Sequence, residues 1–167
     1  MTAGARRHIL ESKRAMESIL TDEEYELSGQ QALKDHVLER ARFALRKWGP
    51  NIDYEKTLLL LKDRDVVRYE TELAFDGAPL HPGEFGYAEP LGEDPEQGFR
   101  LCLHPCFENR PQDLPLLILY HIVRINYGDI ATDEEAELFG STLLELDPEA
   151  YYESLCRLAD SMPGAPG

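Results

Sequence analysis

The spacing of apolar positions changes period several times along this chain, and each change marks an element. Ile9, Leu10, Ala15, Met16, Ile19 and Leu20 form an incomplete stripe that predicts a helix from Arg6 to Leu20. Leu33, Val37, Ala41, Ala44, Leu45 and Trp48 fall on one face of a longer helix running from Thr21 to Trp48. Its first turn is acidic and its last basic, as the helix dipole favours, and Gly49-Pro50 stops it. "NIDYEKTLLLLKD" reads as a short helix capped at Asn51 or Asp53. The period then switches to two. Val67, Tyr69, Thr71, Leu73 and Phe75 alternate with Arg68, Glu70, Glu72 and Ala74, which predicts a half-buried strand ending in a turn at Asp76-Gly77.

The Pro- and Gly-rich stretch that follows is mostly loop, with room for a short strand over Glu84–Ala88. In "FRLCLHPCF", Phe99, Leu101 and Leu103 share one face of a strand, and Arg100, Cys102 and His104 the other; Pro105 puts the segment at a strand end or an edge. "QDLPLLILYHIVRINYG" is apolar on nearly every side, the mark of a central buried helix, and Gly128 ends it. Two amphipathic helices follow. The first turns Leu138, Phe139, Leu143, Leu144 and Leu146 inwards. The second starts at Asp147-Pro148 and buries Tyr151, Leu155, Leu158, Ala159 and Met162. The expected fold is α+β: a small, mainly antiparallel sheet over about residues 66–104, covered by a buried central helix and C-terminal helices, with two N-terminal helices added. The expected organisation is an N-terminal helical extension over 1–50, an α+β core over 51–162 and a tail over 163–167.

Charge narrows the partners. The 167 residues carry 17 Lys/Arg and 32 Asp/Glu, for a net charge of −15. The first fifty residues hold nine basic and eight acidic side chains, so the excess lies almost wholly in the body. Such a surface repels phosphate backbones, which argues against nucleic-acid binding. No apolar run is long enough to span a bilayer, and the start has no apolar signal region, so no membrane role is expected. Cys102, Cys106 and Cys156 make no even framework; free thiols and a cytoplasmic location are expected. The apolar stripe of the N-terminal helices is the expected surface for a protein partner or a homo-oligomer.

"TDEEYEL" at 21–27 and "TDEEAEL" at 132–138 agree at six of seven positions. In each, Thr followed three residues later by Glu is a capping box, Thr21/Glu24 and Thr132/Glu135. Two helix starts explain the repeat, because the segments diverge after it.

The second copy has a chemical context. A strand ending in "LHP" leads to a helix carrying His121, then to an acidic helix with Glu135, Ala136, Phe139, Leu143 and Leu144. This order over residues 51–162 resembles the ImmA/IrrE-type zinc metallopeptidase domain, a minimal zincin-like fold. The resemblance implies a His-Glu-x-x-His helix and a later acidic ligand. His121 matches the first zinc ligand, but Ile122 stands at the general-base Glu and Ile125 at the second His. The third ligand would fall on Asp133 or Glu135. One His cannot make the i, i+4 pair that grips zinc, and a zinc-bound water would lack its proton acceptor. The resemblance therefore implies a zincin-like domain that has lost the peptidase.

Two other chemistries are open to these residues. Cys102, His104 and Cys106 lie two apart and, with His121, are donor types that zinc accepts. Cys106 beside His104 or His121 could form a nucleophile pair, against an acidic neighbourhood that disfavours a thiolate. The polar candidates on the central helix are His121 and Arg124, which share a face. An unpaired charge on so apolar a helix is disfavoured, so they are expected to meet a carboxylate of Asp133, Glu134 or Glu135 as a structural pair. The leading expectation is a non-catalytic interaction or scaffold domain with no cofactor. The rival is a metal-dependent hydrolase using His121 with an acidic or Cys/His site.

Overall fold

The structure, a computed structural model, describes residues 22–164. The predicted helix over 6–20 and Thr21 of the Thr21/Glu24 box lie outside these residues. The chain divides into two units, Met1–Asp35 and His36–Gly167. Helix α1, Asp22–Trp48, runs through the division. Its part from His36 onward belongs to the second unit, where Val37, Ala41 and Ala44 are fully buried. Three of the six stripe positions predicted on this helix are thus core. The end of α1 is fastened by Asp63, which accepts from Trp48 Nε1 at 2.9 Å and pairs with Lys47 Nζ at 2.7 Å.

Helix α2, Tyr54–Leu61, starts where Asp53 accepts from the Lys56 N–H at 2.9 Å. The strand predicted from Val67 is shorter: β1 spans Thr71–Phe75. Val66 and Val67 are buried all the same, but by a different partner. The Asn126 side chain accepts from Arg68 N and donates to Val66 O, both at 2.8 Å. Its amide imitates a neighbouring strand, so this segment pairs with a helix side chain instead of the sheet. Strand β2 is Gly86–Pro90 and β3 is Phe99–Leu103. The order is β1-β3-β2, with β1 parallel and β2 antiparallel to β3. The α+β class holds, and the sheet is mixed rather than mainly antiparallel.

Helix α3, Leu114–Tyr127, is the centre of the core. Leu114, Leu117, Ile118, Leu119 and Ile122 are fully buried, each contributing roughly 1.5–3 kcal/mol. Leu116, Tyr120, Arg124 and Tyr127 escape full burial. Their spacing of four, four and three makes one continuous stripe. The inward face of the sheet, with Leu101, Leu103, Ala88 and Gly86, packs on α3. The outward face carries Cys102 and an Arg100–Glu72 pair at 2.9 Å.

Helices α4, Asp133–Leu143, and α5, Pro148–Asp160, complete the core. They approach closely at Gly140, where a β-carbon would lie 2.3 Å from the Tyr151 hydroxyl. That hydroxyl, buried, donates to Leu116 O at 2.5 Å. Leu146, expected to face inwards, is exposed: the chain has left α4 by Leu143, and Glu145 takes a positive φ of 54°.

Candidate functional site

The position of one cleft of the second unit follows from the topology. Strand β2 is one of the two edge strands of the sheet, and α3 and the start of α4 stand beside it. The space between them is about 690 Å³. Its apolar lining sets small residues, Gly86, Ala88, Ala131 and Ala136, beside the larger Phe85, Phe99 and Val123. Polar groups stand around it: Glu84, Tyr120, His121, Arg124, Asp129 and Asp133.

The register shows which backbone groups of β2 face this cleft. His104 N donates to Phe85 O at 2.9 Å, and Leu91 N to Gly98 O at 3.0 Å. These bonds phase the antiparallel ladder. Tyr87 and Glu89 therefore bond to β3. Gly86, Ala88 and Pro90 turn their backbone groups away from β3, towards the cleft. Pro90 has no N–H, so Ala88 carries the central outward donor and acceptor.

His121 closes one end. It is 6% exposed. Its Nδ1–H donates to Leu117 O at 2.7 Å, which fixes the ring. Phe85 and Tyr120 stand edge-on to it, at 5.6 and 5.3 Å. Gly86 is needed here because a β-carbon would lie 2.7 Å from the imidazole Cε1 and 3.0 Å from Nε2. Burial pushes the His121 pKa below the ordinary histidine value, and this outweighs the opposing hydrogen bonds to the Leu117 and Gly86 backbone. His121 is thus a neutral, immobilised ring.

The predicted polar quartet is not one cluster. Arg124 is exposed, and its ion pair is with Asp129 at 3.7 Å. It sits on the open stripe of α3, so it needs no buried partner: the expectation was a structural pair with Asp133, Glu134 or Glu135, and the ion pair observed is this surface contact with Asp129. Asp133 instead accepts from Tyr120 Oη at 2.6 Å. Burial, then the Asp133 carboxylate, raises the Tyr120 pKa, so the phenol keeps its proton. Glu135 is 1% exposed and turns back on its own helix start, bonding the Thr132 N–H at 3.1 Å and the Thr132 hydroxyl. The expected Thr132/Glu135 capping box is present.

The donors that zinc would need do not converge. Ile122 and Ile125 are core residues, 0% and 2% exposed. Among the described residues, no three His, Cys, Asp or Glu side chains are placed to hold a metal. Cys102 lies on the sheet face opposite His121; burial and then Glu89, 3.6 Å from its sulfur, raise its pKa to about 11. Cys106 leaves the alternation because Pro105–Phe107 is a 3₁₀ turn, capped by His104 Nδ1 accepting from Cys106 N at 3.1 Å. Burial raises the Cys106 thiol pKa as well, which works against a nucleophile. The described residues do not fit a zinc centre.

Sequence reasoning named His121, Arg124 and Asp133 but missed the edge of β2, whose Gly86 and Ala88 carry no reactive group. Alternation within "GYAEP" was the available signal. No described helix is long and apolar enough to cross a membrane. Compared with known proteins, the chain matches no family model, no curated protein and no solved structure.

Proposed function

We propose that this protein is a non-catalytic interaction domain of zincin-like character that holds an extended polypeptide segment in the cleft beside β2. The observation that carries this reading is the Ala88 backbone turned away from β3, on a side of β2 that no described strand pairs with, and a cleft of about 690 Å³ alongside. An extended chain laid there would continue the sheet by backbone hydrogen bonds, and side chains at alternate positions would reach the small-residue floor. Gly86, Ala88, Ala131 and Ala136 leave room for those side chains. His121 serves as a fixed wall, its Nδ1–H committed to Leu117 O. Ile122 and Ile125 in the core leave a bound peptide facing no metal-held water, and the thiol pKa shifts favour no nucleophile in its place.

The test is an amide NMR titration of the full chain with short extended peptides, with excess zinc in a parallel sample. The expected result is shift changes centred on Gly86–Pro90, Val123, Ala131 and Ala136, with the peptide intact. Perturbations confined to other surfaces contradict the reading. So does peptide cleavage in zinc that is lost in His121→Ala.

A further inference from the structure

The charges around the cleft are unevenly placed for a site meant to accept any peptide. Glu84 precedes β2 and Glu93 follows it, so a carboxylate stands beyond each end of the strand. Asp129 and Asp133 stand on the opposite wall. Among the described residues that line the cleft, Arg124 is the cation, and Asp129 lies 3.7 Å from it. His121 adds no positive charge, because burial holds it neutral. The floor between these carboxylates is apolar and narrow-sided: Ala88 is 7% exposed and Val123 1%.

Resting on the cleft reading above, we infer that the occupant is a cationic segment, with Lys or Arg side chains flanking a small apolar residue. In an extended ligand paired with Ala88, one side chain points down to Val123 and Ala136. Its neighbours on either side point away from that floor, and the next pair reach along the strand towards Glu84 and Glu93. Successive residues of an extended chain advance about 3.3 Å, so residues two apart span roughly the distance from the middle of β2 to its ends. Carboxylates at both ends and on the far wall favour basic groups there and repel acidic ones. Asp133 is positioned on this wall by Tyr120 Oη, which donates to it at 2.6 Å. Asp129 and Glu93 are exposed and flank no core residue, so they can recognise charge without holding the fold.

The experiment measures fluorescence anisotropy of three labelled peptides of equal length with the full chain. All carry a central Ala with one variable residue placed two positions before it and two positions after it, and Ser elsewhere: Lys in the first, Glu in the second, Ser in the third. Titrations are run at about 20 mM and about 200 mM salt, which shortens the screening length severalfold. The Lys peptide is expected to bind at least about tenfold tighter than the Ser peptide at low salt, with most of that margin lost at high salt. The Glu peptide is expected not to bind. The paired variant Glu93→Lys with Asp129→Lys, both at exposed positions, should invert the order of the Lys and Glu peptides while keeping the wild-type melting curve. Ala88→Pro removes the outward N–H and should weaken the Lys and Ser peptides alike, by about fivefold. Equal binding of the Lys and Ser peptides, both weakened by Ala88→Pro, overturns the charge selection and leaves the cleft reading standing. Lys-peptide binding unchanged in the paired variant and in Ala88→Pro overturns both, because attraction to the acidic body in general would then suffice. Dimerisation that is abolished by Ala88→Pro, with no peptide bound, overturns the inference in favour of a second copy of the chain as occupant.

Discussion

Gly86 and His121 are placed so that neither leaves room for change in the other: a β-carbon at position 86 would sit 2.7 Å from the imidazole Cε1. Leu103 Cδ2 is equally close on the other side, so the strand is held between the helix ring and its neighbour strand. Gly86→Ala should cost about 1–3 kcal/mol, the usual range for overpacking. Urea unfolding of the single variants and of Gly86→Ala combined with His121→Ala tests the contact. The double variant should be less destabilised than the sum of the singles. Simple additivity would show that His121 does not bear the crowding.

The depressed pKa of His121 gives a pH dependence with a fixed sign. The unfolded chain takes up a proton near the ordinary histidine value, roughly pH 6.5, while the buried ring resists it. The unfolded state therefore binds more protons as the pH falls, and stability is lost below about 6.5. Above that value the ring is neutral in both states and contributes no slope. Unfolding free energies between pH 7.5 and the carboxylate range should fall on acidification in the wild type and fall less in His121→Phe. Identical slopes would remove His121 as the cause.

Arg124→Ala should change stability by less than about 0.5 kcal/mol, since its pair with Asp129 lies on the surface. Thr132→Ala should cost about 1 kcal/mol through loss of the cap. Chemical denaturation of the two variants under one condition ranks them. Arg124→Ala as the more damaging change would restore the buried ion pair that the sequence suggested.

Asn126→Ala should cost about 2 kcal/mol or more, because it orphans Arg68 N and Val66 O together. Hydrogen exchange gives the local readout. The Arg68 amide should lose protection, while amides of β1 keep theirs. Unchanged protection at Arg68 would mean that another group holds this segment.

These outcomes show where the sequence was readable. The central helix was legible because its apolar residues surround the axis, and the Thr132/Glu135 box because its chemistry is local. Arg124 was misread for the same reason the helix was found. A charge inside an apolar run looks buried until its place on the stripe with Leu116, Tyr120 and Tyr127 is considered. The strand was drawn too long because Val67 and Tyr69 do alternate. The segment's backbone instead meets Asn126, through Val66 O and Arg68 N, far along the chain, and local periodicity carries no sign of it. The cleft was hidden because Gly86, Ala88, Ala131 and Ala136 in its lining matter for the space they leave open.

Ala88 offers the most direct test of the account. Its N–H faces the cleft, away from the ladder with β3. Its hydrogen-exchange rate, measured by NMR with and without the Lys peptide at saturation, reports whether a chain pairs with this edge. The account predicts that the peptide slows Ala88 exchange by about tenfold or more, while the amides of Tyr87 and Glu89, already bonded to β3, change little. An Ala88 rate unaltered at saturation would contradict it.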